Sequence, residues 1–137
     1  MRQCAKRCLA AICLVAALSG CGAPTMASTP SPSAATPSLP PDGVYLVSLG
    51  VSFSPPGFSV PASAKMLDGY NSPDVVNAIY SGADGPAVHD YLVANLASMG
   101  FTITAQSSDS IVWQNAGWQG AFTMTADQAG LTLRRIR

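Results

Sequence analysis

The 137-residue chain contains no glutamate, a single histidine (His89), and charged residues at only 10% of its positions. Its four cysteines, Cys4, Cys8, Cys13 and Cys21, all lie before residue 22. Each shortage removes a class of chemistry. With no thiol after Cys21, the remainder of the chain offers no disulfide, no thiolate metal site and no cysteine redox step. Its seven acids are all Asp and are scattered, with no D-x-D-x-D-G loop, which excludes an EF-hand. There is no G-x-S-x-G elbow, P-loop, H-E-x-x-H helix or dinucleotide fingerprint. Positive charge is equally thin. Beyond Arg2, Lys6 and Arg7 only Lys65, Arg134, Arg135 and Arg137 remain, four cations against seven Asp, a net of −3. That balance excludes a basic nucleic-acid footprint, so no nucleic-acid partner is expected.

What the front of the chain does have is order. The basic residues Arg2, Lys6 and Arg7 precede an apolar run, CLAAICLVAALSG, over residues 8–20. Basic start, apolar run and small-residue site form the layout of a secretory signal peptide. The run is too short for a spanning helix, which needs roughly 20 apolar residues. Its end, Leu18-Ser19-Gly20-Cys21, resembles the lipobox of bacterial lipoproteins. The resemblance implies cleavage between Gly20 and Cys21 and attachment of a diacylglyceryl group to the Cys21 sulfur. The expected partner is then the membrane, reached through acylated Cys21. The expected location is the extracytoplasmic side of a bacterial cell membrane. Two or more acyl chains hold a protein stably at a bilayer where one would be marginal. Cys4, Cys8 and Cys13 then belong to the discarded peptide.

Residues 22–42, GAPTMASTPSPSAATPSLPPD, hold six prolines among Ser, Thr and Ala. Such a segment cannot bury a core and reads as a tether. At full polyproline extension it reaches about 60 Å. The expected organisation is therefore a signal peptide over 1–20, a lipidated Cys and tether over 21–42, and one domain over 43–137.

Within that domain the hydrophobic pattern reads as α+β. AKMLDGY, VVNAIYSG, FTITA, SIVWQ, AFTMT and LTLRRIR read as strands, with an added strand at 44–53 before SPPGF. One helix is expected over about 85–99, with Asp84 as N-cap, Pro86 in the first turn and Gly100 as its stop. Val88, Leu92, Leu96 and Met99 form its apolar stripe. The expected order is β-β-α-β-β-β-β: a mainly antiparallel sheet of four to six strands with the helix on one face. Residues 60–137, from VPASAKML through VHDYLVANLASMGFTI to the hairpins, are similar to small bacterial envelope lipoproteins of unknown function. That resemblance implies an α+β domain and carries over no catalytic residue.

Candidate chemistry is sparse. His89 sits beside Asp90, but adjacent helical residues point apart, so an exposed helix-start histidine is expected rather than a base with its orienter. Trp113 and Trp118 flank QNAG in a hairpin and are the candidate binding residues. A two-residue loop at Asn115-Ala116 sets both on one face. A three-residue loop with Gly117 in the left-handed region sets them on opposite faces and leaves one exposed; the glycine favours the latter. The Arg134-Arg135-Ile136-Arg137 run is smaller than the four to eight basic residues of a lipid-binding cluster. The expectation is a non-catalytic lipoprotein, with no cofactor and no metal, that binds an envelope protein, a wall polymer or a small ligand. Carriage of an apolar molecule or lipid is the alternative, and hydrolysis stands behind both.

Overall fold

The computed structural model describes residues 38–137. The Leu18-Ser19-Gly20-Cys21 motif and the tether up to residue 37 lie outside the described residues. The strands are β1 (Gly43–Tyr45), β2 (Ser59–Pro61), β3 (Met66–Asn71), β4 (Val75–Ser81), β5 (Thr102–Gln106), β6 (Ser110–Gln114), β7 (Trp118–Met124) and β8 (Gln128–Arg135). A single α-helix, α1 (Gly85–Asn95), joins β4 to β5. β1 and β2 pair as a two-stranded sheet. The other six form one antiparallel sheet in the order β3-β4-β8-β7-β6-β5. The domain is thus α+β with β structure dominant.

From β3 onward the elements follow the expected order. The correction lies before them: in place of one strand over 44–53 there is only the three-residue β1, and its partner β2 lies beyond that span, at Ser59–Pro61. The chain leaves β1 into a 3₁₀ turn over Leu46–Leu49, and Gly50 ends that turn with a φ of 92°. Fully buried Leu46 and nearly buried Val51 cannot both face the core along an extended segment of this length, since five residues apart they alternate sides. The turn solves this: the Val51 N–H reaches back to the Leu46 carbonyl at 3.4 Å. Pro55-Pro56-Gly57-Phe58 then makes a second reversal. Gly57 has φ 79°, and the Phe58 N–H bonds the Pro55 carbonyl at 3.1 Å. A positive φ at the third position is what a Pro-Gly turn requires.

The helix entry also differs from expectation. Asp84 is helical in conformation and makes no side-chain cap. Ser81 does the capping one turn earlier: its Oγ accepts from the Asp84 N–H at 3.2 Å and donates to Asp84 Oδ2 at 3.0 Å. A 3₁₀ turn, Gly82–Asp84, then runs directly into α1. α1 itself ends at Asn95, short of the expected 99, and a further turn carries the chain on to Gly100, which is left-handed as expected. Gly100 has φ 85°, its N–H bonds the Ala97 carbonyl at 3.1 Å, and the Phe101 N–H bonds the Leu96 carbonyl at 3.0 Å. This pair of bonds is a Schellman motif, and it brings Phe101 and Leu96 together in the core.

Alternation assigns the two faces of the six-stranded sheet. Val76, Ala78 and Tyr80 of β4, Leu131 and Leu133 of β8, Phe122 of β7, and Ile111 and Trp113 of β6 point inward and are buried. Val88 and Leu92 of α1 and Leu96 just after it close over them, together with Leu46, Phe58 and Val60 from the N-terminal segment. Phe58 is a hinge point of this core. It lies edge-on to Phe101 with ring centroids 5.6 Å apart and stacks on Trp113 at 6.0 Å. The helix is further fixed to β2 by a polar contact: Ser59 Oγ and Tyr91 Oη lie 2.8 Å apart, and the Ser59 N–H points at Met99 Sδ at 3.2 Å.

Candidate functional site

Hairpin turns decide where the candidate residues point. All four hairpins of the large sheet close in one way. In Ser72–Val75, Ser107–Ser110, Asn115–Trp118 and Thr125–Gln128, the first residue's N–H bonds the fourth residue's carbonyl at 2.8–3.0 Å. The first residue's side-chain oxygen accepts the fourth residue's N–H at 2.8–3.2 Å. Ser, Thr and Asn do this because their oxygen sits at the length of a backbone turn. No loop residue has a positive φ, so these are not the primed turns usual for short hairpins.

The third of these turns corrects the expectation for the tryptophans. Gly117 is not left-handed, and the loop is Ala116-Gly117, with Asn115 Oδ1 accepting from both the Gly117 and Trp118 N–H groups. Gln114 therefore opposes Gln119, and Trp113 opposes Gly120. Trp118 is two residues from Gly120, so both tryptophans face inward. Trp113 is fully buried and Trp118 is 8% exposed. Trp113 fills space that exists because position 120 has no side chain: a Cβ there would overlap the indole. Trp118 carries the Arg135 guanidinium 5.1 Å above its ring. The two tryptophans thus sit under the sheet.

His89 is also buried, not exposed. Its Nε2 lies 2.9 Å from the Ser107 carbonyl, and because a carbonyl only accepts, Nε2 carries the proton. Nδ1 lies 3.3 Å from Asp90 Oδ1, a neighbour that helical geometry alone put on a different bearing. The ring leans on Phe122, with centroids 6.3 Å apart. The imidazole thus ties α1 to the β5–β6 turn, with Nε2 engaged by a backbone carbonyl and Nδ1 beside the Asp90 carboxylate. Buried Tyr80 has no hydrogen-bond partner among the described residues for its hydroxyl, and burial pushes its phenol above the usual tyrosine range. Burial raises Tyr91 too; its contact with Ser59 opposes this, and the Asp42 and Tyr45 charges add to it. Among the described residues no group of three or more His, Cys, Asp or Glu is placed to hold a metal ion.

The chemistry-bearing surface is the sheet's outer face. Register sets Tyr70, Asn77, Thr132, Ala121 and Val112 side by side in one row across β3, β4, β8, β7 and β6. The next row holds Val75, Arg134, Gln119 and Gln114. These side chains are exposed or half-buried. Tyr70 is 58% exposed, while the buried Asn77 Oδ1 has no hydrogen-bond partner among the described residues. Small Ala121 and Gly120 leave a depression of about 160 Å³, bordered by Val112, Gln119, Thr132 and Arg134. It adjoins a second, at the sheet's end, of about 490 Å³ lined by Asp74, Val75, Arg134, Arg135 and Arg137. The two share Arg134. Sequence reasoning passed over this face because its residues are individually ordinary; only strand register brings them together.

No protein-family model matches the chain, and no curated protein and no solved structure matches it. Among the described residues no helix is long and apolar enough to cross a membrane.

Proposed function

We propose that the chain is a non-catalytic binding domain held at the extracytoplasmic face of a bacterial membrane by acylated Cys21. Its ligand is an envelope protein, a wall polymer or a small molecule, taken on the outer face of the six-stranded sheet. The observation that carries this reading is that face. It places the Gln119 amide, the Thr132 hydroxyl and the Arg134 guanidinium, which has no partner among the described residues, around a shallow depression, with exposed Tyr70 and Gln114 further out on the same face. These are the few convergent polar groups of a recognition surface. The inward face, in contrast, is filled by Trp113, Phe58, Phe122 and Tyr80. That filling weighs against an apolar cargo between sheet and helix. The burial of His89 against a backbone carbonyl weighs against hydrolysis.

The anchor is tested by Cys21→Ser. Removing the sulfur removes the acyl attachment point, and with it about 0.8 kcal/mol of membrane affinity per buried CH₂ of each chain. The wild-type protein is expected in the membrane fraction and the variant in the soluble extracytoplasmic fraction. A variant that stays with the membrane contradicts the anchor.

A further inference from the structure

The last residues of the chain gather its positive charge. Three of the four cations among the described residues, Arg134, Arg135 and Arg137, fall within four positions, while the fourth, Lys65, lies in the segment before β3. The fold arranges the three differently. Arg135 lies over the Trp118 ring at 5.1 Å. Arg137 Nη2 bonds Asp74 Oδ2 at 2.6 Å. Arg134 has no partner among the described residues. It stands on the outer face between Val75 and Gln119, at the join between the two depressions.

Backbone bonds hold this end of β8 in place. The Arg135 N–H bonds the Asp74 carbonyl at 2.8 Å, and the Ile136 N–H bonds the Gly117 carbonyl at 2.9 Å. Arg134 and Arg135 therefore project from the end of a fixed strand, and Arg137 follows two residues beyond it. Arginine presents a planar fork of donors that matches a carboxylate, and the Asp74–Arg137 contact shows one such pair already in the larger depression.

We propose that the two adjoining depressions bind an acidic saccharide, its carboxylate seated on the Arg134 guanidinium and its ring lying along Ala121 and Thr132. Gln119 and Thr132 supply the donors and acceptors that a ring's hydroxyls need, and Ala121 and Gly120 leave the room. Charge complementarity selects the occupant. Asp74 lies within the larger depression, paired with Arg137; the surface elsewhere carries the other six Asp and one Lys, so an anion is attracted at this end alone. Three arginines, one already paired, fall short of the four to eight basic residues that hold a protein on anionic lipid, which argues against a bilayer as the occupant.

This inference rests on the outer-face reading above and names the ligand class for that face. The test is titration calorimetry of the full-length protein with an oligogalacturonide, its methyl-esterified form of the same length, and inorganic phosphate. The oligogalacturonide is expected to bind, and esterification to weaken it about tenfold or more, since one charge-assisted fork is lost. Arg134→Gln should weaken the acidic oligomer by about the same factor, while Lys65→Gln, an equal change in net charge, should leave it within about twofold.

Equal binding of the ester, or an unaffected Arg134→Gln variant, overturns the proposal. Phosphate binding as tightly as the oligomer makes this a free-anion site and overturns the saccharide. No binding of any probe also overturns the ligand class. The outer-face reading then stands or falls separately, on photo-cross-linking at Thr132.

Discussion

Gly120→Ala lowers the melting temperature by roughly 12–24 °C, an expected cost of about 3 kcal/mol for a domain of about 100 residues. The reason is the tightest side-chain fit in the sheet. Gly120 lies opposite Trp113, whose indole crosses the space above it. An alanine Cβ would overlap Cε2 and Nε1 of that ring. The indole cannot swing aside, because it is fully buried and stacked on Phe58. A rigid, fully buried ring leaves strain as the outcome of overpacking.

The partner substitution makes the cause testable. Trp113→Val alone leaves a cavity and costs about 3–5 kcal/mol. Combined with Gly120→Ala it should cost less than the two single changes added, by about 1–3 kcal/mol, since the added methyl then enters vacated space. Denaturant unfolding of the four proteins gives that coupling. Simple additivity would show that the indole is not what excludes a side chain at position 120.

Gly82→Ala is expected to cost about 3 kcal/mol by a different route. Here the obstacle is backbone. A Cβ on Gly82 would run into the Ala126 carbonyl and approach the Asp127 carbonyl carbon at 2.7 Å. The Gly82 N–H bonds the Asp127 carbonyl at 3.0 Å, so the two chains cannot part without losing that bond. The displaced turn, Thr125–Gln128, is also the one that pairs β7 with β8. Amide exchange should therefore speed up at Gln128 as well as at Gly82. Gly117→Ala is the control. Its φ is not positive and its nearest obstacle is Asn115 Oδ1 at 4.0 Å, so it should be neutral or stabilise by up to about 1 kcal/mol. Had Gly117 been left-handed, the same change would destabilise.

That contrast shows where the sequence could be read and where it could not. Strong local patterns translated directly. VVNAIYS alternates, and its Val76, Ala78 and Tyr80 are inward. Gly100 after the helical stripe is the left-handed cap. The segment 44–53 misled because its β-branched residues fit a strand locally. Only the tertiary demand that Leu46 and Val51 both be buried turns it into a 3₁₀ bend. At the Asn115 hairpin the turn maker is the asparagine and not the glycine. The signal lay one residue type away: S-P-D-V, S-S-D-S, N-A-G-W and T-A-D-Q each place Ser, Asn or Thr first and Asp or Gly third. Four copies of one short pattern fix the register of every hairpin in the large sheet. The burial of His89 depends on a long-range contact, with Ser107 18 residues away, that local sequence does not carry. The outer face depends on pairing β4 with β8, which are about fifty residues apart in the chain. No local periodicity records that pairing.

Central to the proposed function is binding of the ligand on the outer face of the large sheet. Its most direct test is a photoreactive side chain at Thr132, exposed at the middle of that face, irradiated in intact cells of a producing bacterium. Ala94, exposed on the helix, carries the same group as the comparison. An adduct of discrete composition at Thr132 and none at Ala94 is the result the account predicts. Equal labelling at both positions, or an adduct at Ala94 alone, would contradict it.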